Sequence, residues 1–237
     1  SQSDYSDKFI LKGGMLIAAI VGIDNRSTMD MDITIKNYPI NVEMISKAIH
    51  EICAIAIDDN VYFSFSGIES IRDGDVYGGY RVTIISEYDG IKTPMQIDIT
   101  TGDRITPKEV FYQYKMNFKE GSIHVWSYNI ETILAEKVET ILRRGEFNTR
   151  TRDFYDVYIL TKTQFFDQSV FIEALRTTAS HREATHIFNN IVNRLDEICV
   201  SEDLRNRWLK YTNDYRYAVG ITYEDVIDSI RKLTQSL

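Results

Sequence analysis

Apolar residues alternate with polar ones through the first half of the chain and recur at helical spacing through the second. Phe9-Ile10-Leu11 reads as a short strand, Gly13-Gly14 as a tight turn and Met15 to Val21 as the start of an apolar helix. The run MDMDITI from Met29 alternates like a half-buried strand: Met31 and Ile33 pack one face, and Asp30 and Asp32 emerge together on the other. Val42, Ile45, Ile49, Ile52 and Cys53 form a stripe that predicts a helix over 41–57, covering one sheet face. Strand-forming residues at 61–71, alternation at 80–88, an Asp89-Gly90 hairpin signal and a return at 91–100 predict a largely antiparallel region. In the return strand Met95, Ile97 and Ile99 share a face, which puts Asp98 on the other; an antiparallel neighbour would bring it alongside the first two acids. A last strand is predicted at 121–126.

From Asn129 the pattern is helix after helix, interrupted only by Gly145 and Gly220 and free of proline. A boundary is therefore expected near Ser127, with domains 1–126 and 127–237. Ile130, Ile133, Leu134, Val138 and Ile141 form one stripe of a helix over 130–144, and Lys137 falls in its middle. A lysine there must either snorkel or meet a partner, because an unpaired buried ammonium is strongly unfavourable. The partner this predicts is a nucleotide phosphate; the alternative is an extended stem with its charge in water. Arg150-Thr151-Arg152-Asp153-Phe154-Tyr155-Asp156 opens the next helix, and Asp153 and Asp156, three apart, share a face. Taken alone, these acids also fit a favourable helix-dipole position with a salt bridge to Arg150 or Arg152. Further helices are predicted at 168–179, 183–198, 201–217 and 223–233, with Ser201 and Thr222 as N-caps. Tyr211, Tyr215 and Tyr217 suit an interhelical seam better than base stacking, and His181 and His186, five apart, are wrongly spaced for metal ligation on one helix face.

The 237 residues allow one large domain or two, and 43% apolar with 12% aromatic residues is ample for a packed core. No apolar run approaches the roughly 20 residues that span a bilayer. The opening SQSDYSDKF lacks a signal-peptide pattern, so a cytoplasmic location with no membrane partner is expected. Cys53 and Cys199 are too few for a disulfide framework and read as reduced, buried side chains. The net charge of −8 argues against broad nucleic-acid binding but leaves room for a local basic patch. Arg143, Arg144, Arg150 and Arg152 are one candidate, equally readable as a solvated helix face; Arg205, Arg207 and Lys210 are another and read more readily as such a face.

Asp30 and Asp32 repel each other, and a divalent cation resolves the repulsion. Oxygen ligands of this kind suit Mg²⁺, or Mn²⁺, which completes its shell with water and substrate phosphates. Glycines at a strand-to-helix turn let backbone N–H groups approach such a phosphate. Asp98 could hold a second metal or help deprotonate an attacking hydroxyl, or be a solvated strand acid; Asp103, in Thr101-Gly102-Asp103, reads as turn chemistry.

In order along the chain stand Lys12-Gly13-Gly14, then Arg26-Ser27-Thr28-Met29-Asp30-Met31-Asp32, then Asp98, Lys137 and the RDFYD run at 152–156. This series resembles the AbiEii/AbiGii family, the toxins of type IV toxin–antitoxin systems within the polymerase-beta-like nucleotidyltransferase superfamily. The resemblance covers nearly the whole chain. It implies an α+β architecture, a nucleotidyltransferase mixed sheet flanked by helices followed by a C-terminal helical domain, with the active site in the cleft between them. It also implies metal-dependent transfer from a nucleoside triphosphate, GTP in this branch, to the 3′ end of tRNA as part of abortive-infection phage defence. The cognate antitoxin would be a separate protein that need not form a tight complex.

Carried over residue by residue, Asp30, Asp32 and Asp98 are the metal and catalytic acids. Lys137, Asp153 and Asp156 are catalytic, and Lys12, Gly13, Gly14, Arg26, Ser27, Thr28 and Lys137 bind the nucleotide. Arg143, Arg144, Arg150 and Arg152 would guide the acceptor. One departure stands out: many nucleotidyltransferases have Ser or Thr after the glycines, where Met15 stands here, leaving backbone N–H groups or Ser27 and Thr28 to replace that hydroxyl. The start of the chain close to the first motif strand leaves open an upstream segment present in relatives. Two other readings remain: a nucleotide-binding interaction module without transferase activity, and transfer to a protein or small molecule.

Overall fold

The computed structural model describes residues 1–71, 78–116 and 120–237, and these divide into two compact units. The first comprises Ser1–Ile20, Ser27–Asp103 and Glu109–Tyr128; the second comprises Val21–Arg26, Arg104–Lys108 and Asn129–Leu237. The class is α+β. Against an expected boundary near Ser127, the main division falls after Tyr128, and two short stretches from the first half group with the helices.

The first unit carries a seven-stranded mixed sheet in the order β3-β4-β5-β2-β1-β7-β6. Its strands are β1 (Phe9–Lys12), β2 (Met31–Ile35), β3 (Tyr62–Ile71), β4 (Gly79–Tyr88), β5 (Ile91–Thr101), β6 (Val110–Lys115) and β7 (Ser122–Ser127). The Asp89-Gly90 turn closes β4 onto β5, pairing Tyr88 with Ile91 and, further down, Arg81 with Asp98. Strand β5 then docks beside β2 in parallel, not antiparallel as expected. The crossover after β2 runs through helix α2 (Val42–Cys53) and the β3–β4 strands before β5 comes back in the same direction. Parallel pairing still places Asp98 directly across from Asp32.

One face of this sheet is dry. Ile33, Ile35, Val82, Ile84, Ile97 and Ile99 pack with Ile45 and Ile49 of α2, so the period-2 and period-3.6 stripes of the sequence meet in one core. Asn41 caps α2 by accepting a hydrogen bond from the Met44 amide. Strand β6, an aromatic run absent from the sequence-based expectation, sits at the sheet edge with Val110 and Phe111 exposed. Cys53 and Cys199 are free thiols, half-buried where full burial was expected, each near the end of a helix.

The second unit is helical. It contains α3 (Ile130–Arg144), α4 (Thr151–Thr163), α5 (Gln168–His181), α6 (Ile191–Val200), α7 (Glu202–Asp214) and α8 (Tyr223–Thr234). Helix α3 is its centre: Ile133, Leu134, Ala135, Val138, Ile141 and Leu142 are all buried, and α4 and α5 pack on it. The single helix expected over 183–198 is a 3-10 turn at Thr185–Asn190 followed by α6. The backbone breaks at Asn190, with φ −155° and ψ 44°. Ser201 and Thr222 cap α7 and α8, and Tyr211, Tyr215 and Tyr217 pack against one another with Tyr155. Among the described residues no helix is long and apolar enough to cross a membrane.

Asn129 shows why Arg104–Lys108 groups with the helices. Its Oδ1 accepts from the Thr132 amide at 2.7 Å, capping α3, while Nδ2 donates to the Thr106 and Lys108 carbonyls at 2.8 and 2.9 Å. Thr132 reinforces the join, its Oγ1 accepting from the Thr106 amide and donating to the Thr106 carbonyl. Asn129→Ala should therefore cost more than a cap alone, about 2–3 kcal/mol, measurable by urea unfolding.

Candidate active site

Five residues from five adjacent strands stand in one row across the sheet. Glu69 pairs with Arg81, Arg81 with Asp98, Asp98 with Asp32 and Asp32 with Lys12, and cross-strand partners point to the same face. This is the face opposite the isoleucine core. Asp32 and Asp98 form the one like-charged step in the row.

At the Asp32 end, β1 runs straight into α1 (Gly13–Val21). Gly13 has φ +67°, and a Cβ there would lie 2.1 Å from Asp32 Oδ2 and 2.8 Å from its Cβ. The bare glycine thus lets the Asp32 carboxylate lie against the start of α1, where the helix favours negative charge. Met15 follows in the first turn of α1, and no hydroxyl stands there.

Lys12 is only 8% exposed and is held by Asp103, 2.5 Å from Nζ to Oδ2. The same Asp103 oxygen accepts from Thr100 Oγ1 at 2.7 Å. Burial alone would raise the Asp103 pKa, but Lys12 and the threonine hydroxyls outweigh it and bring it down to about 2. Asp103 is therefore the half-buried counter-ion of a motif lysine rather than turn chemistry alone. The signal for it in the sequence was weak: a lysine at the end of an apolar strand needing a partner.

At the other end Arg81 grips Asp98 with a two-pronged fork, Nε to Oδ1 at 2.7 Å and Nη2 to Oδ2 at 2.9 Å. Asp98 holds the Arg81 charge firmly in place, with Glu69 and Asp30 adding to the effect. Sequence reasoning missed Arg81, although the hairpin register could have found it: a two-residue turn at 89–90 pairs positions that sum to 179, hence 81 with 98. Asp30 lies one residue before β2 and is exposed; its amide donates to Thr28 Oγ1 at 3.2 Å. Ser27 is exposed as well.

Among the described residues no three carboxylate, imidazole or thiolate side chains converge on one cation position. What the row offers is two carboxylates on neighbouring strands, beside a helix start that only glycine fits. That set suits a divalent ion of the Mg²⁺ type, which takes one or two protein carboxylates and the rest of its shell from water and phosphate.

The second unit holds a separate buried ionic cluster. Lys137 Nζ lies 2.5 Å from Asp153 Oδ1 and 2.9 Å from Asp156 Oδ2, and Arg26 Nε donates to Asp156 Oδ1 at 2.7 Å. Arg26 is 1% exposed and Asp156 is fully buried. Burial opposes the charge on each of Lys137, Arg26 and Asp156, yet mutual attraction wins: the Lys137 and Arg26 pKa values are raised and that of Asp156 lowered. The lysine expected to meet a phosphate thus meets two carboxylates of the RDFYD run. Arg26 of the upstream motif is buried against one of them.

The four candidate acceptor arginines divide. Arg143 donates to buried Glu139 at 2.6 Å, and Arg152 donates to the Tyr215 hydroxyl at 2.9 Å. Arg144 has its pKa lowered by partial burial and by the nearby charges of Arg150 and Arg143.

A family model described as "Nucleotidyl transferase AbiEii toxin, Type IV TA system" matches residues 1–229. No protein of curated function matches the chain. Two solved structures from Helicobacter pylori are similar. One, provisionally described as a nucleotidyltransferase, has 18% identity and a TM-score of 0.48, covering 98% of this chain and 89% of its own. The other, JHP933, has 19% identity and a TM-score of 0.44, covering 97% of this chain and 82% of its own. Likeness this loose says nothing about substrate.

The site makes two predictions. Because folding depresses the Asp103 pKa from 3.8 to about 2, the pairing contributes stability present above pH 3.8 and lost as pH falls through about 2. A melting-temperature series should show this acid loss in the native chain and a smaller one in Asp103→Asn, which should also be less stable at pH 7. Gly13→Ala should displace Asp32 and cost about 2–3 kcal/mol in chemical unfolding.

Proposed function

Because the chain belongs to the AbiEii family of nucleotidyltransferase toxins of type IV toxin–antitoxin systems, we propose that it transfers a nucleotide from a nucleoside triphosphate, GTP among the donors, to the 3′ end of tRNA. Capping that end blocks aminoacylation and arrests growth, the output of an abortive-infection defence against phage. A cognate antitoxin, which the family implies, would restrain it.

The observation that carries this reading is the pairing of Asp32 with Asp98 on neighbouring strands, beside a helix start that tolerates no side chain. Those two acids, with Asp30 at the strand entrance, would hold Mg²⁺ or Mn²⁺. The ion's chemistry when bound is to neutralise charge on the oxygens around the α-phosphate. Gly13 and Gly14 leave the α1 amides open to phosphate oxygens, and Ser27 and Thr28 supply hydroxyls in place of the one missing at Met15. Lys12, committed to Asp103, anchors the end of β1 just before the glycines, and Arg26, committed to Asp156, acts by positioning that acid.

In the helical unit we assign Lys137, Asp153 and Asp156 to handling the triphosphate. The lysine keeps its charge across the physiological pH range because its two acids outweigh the effect of burial. Arg144 and Arg150 are the better pair for acceptor phosphates: Arg143 and Arg152 are already engaged, and two cations that repel each other gain from an anion.

The test is incubation with Mg²⁺, each α-labelled nucleoside triphosphate in turn, and a pool of tRNA and protein. Label should pass to tRNA. Label on protein would replace the acceptor, and no transfer with any donor would overturn the reading in favour of a binding module. Asp32→Ala should lower transfer by at least about a thousandfold while leaving the melting temperature close to native.

A further inference from the structure

Arg81 belongs to no motif in the sequence, yet it occupies the carboxylate that the proposed ion would need. Its guanidinium spans both Asp98 oxygens in the fork geometry typical of strong arginine–carboxylate pairs, at 2.7 and 2.9 Å. A cation bound between Asp32 and Asp98 would compete for the same oxygens. The pair is also accessible: the Arg81 side chain is 36% exposed and that of Asp98 24%, so the arginine can leave without breaking the core.

The charge order of the row shows what Arg81 does in its present position. Asp98 and Asp32 stand side by side, Lys12 beside them pairs with Asp103, and Arg81 is the row cation forked onto Asp98. Displaced by an ion, the guanidinium would remain tethered on β4 beside the same carboxylates, within an arginine's length of any phosphate the ion carries.

We propose that Arg81 is a positioning residue that competes with the divalent ion for Asp98 and, once displaced, pairs with the phosphates of the nucleotide bringing that ion. The carboxylate pair is thereby offered to metal and nucleotide together, not to free metal alone. This rests on the assignment of Asp32 and Asp98 to the ion.

The test is Mn²⁺ titration of the full chain, read by electron paramagnetic resonance, with and without nucleoside triphosphate. Without nucleotide, Arg81→Gln should bind Mn²⁺ about five- to tenfold more tightly than the native chain, because a charge-assisted pair and a nearby positive charge are both removed. Arg81→Lys should fall between them, and adding Asp98→Asn to Arg81→Gln should abolish the gain. With Mn²⁺ saturating, Arg81→Gln should hold the triphosphate about tenfold more weakly. Mn²⁺ binding that ignores residue 81 overturns the role of Arg81 alone. A native chain and variants that all fail to bind Mn²⁺, with or without nucleotide, overturn the metal assignment and the role together.

Discussion

Two carboxylates set side by side on neighbouring strands repel, and much of the first unit is arranged to tolerate that repulsion. Rigid cross-strand register keeps Asp32 and Asp98 from drifting apart. Relief comes from both flanks: a guanidinium clamps one acid, and the other rests on a helix start stripped of its side chain. Meanwhile the lysine that ends β1 has a half-buried acid of its own, Asp103. The isoleucine face and α2 below hold these positions fixed.

The helical unit solves a related problem differently. There the charges are balanced, two cations against two acids, and removed from water almost completely. Burial of ions is tolerable when each has a partner in good geometry, and here each acid has at least one and Asp156 has two. The surrounding tyrosines and the apolar face of α3 exclude solvent from the cluster, which explains why the attraction outweighs the desolvation of every member whose pKa moves.

Local signals were legible in the sequence where local physics decides the outcome. The stripe of α3 matches its observed limits, the Asp-Gly turn fixes the β4–β5 register, and Ser201 and Thr222 cap the helices that follow them. The family motifs likewise stood out, because their residue types are unusual on the elements that carry them. Long-range choices were not legible. Whether β5 meets β2 in parallel depends on which strand of a meander docks where, and nothing in the alternation of Met95 to Ile99 encodes it. Strand β6 escaped notice because its alternation is short, only Tyr112 to Lys115, and is preceded by two exposed apolar residues, Val110 and Phe111, that blur it. Partners of buried ions were hidden for the same reason: Lys12 meets Asp103 and Arg26 meets Asp156 across separations of 91 and 130 residues.

Arg26 and Asn25 group with the helices although they are encoded between α1 and β2. Asn25 offers its carbonyl to the Tyr155 hydroxyl, as Arg26 gives its guanidinium to Asp156. Recombination between relatives at residue 128, joining this sheet to another member's helices, would therefore inherit a guanidinium that demands a matching acid. Helices without an acid at position 156 would lose this buried ion pair, so which helices can follow this sheet depends in part on a short loop encoded between α1 and β2.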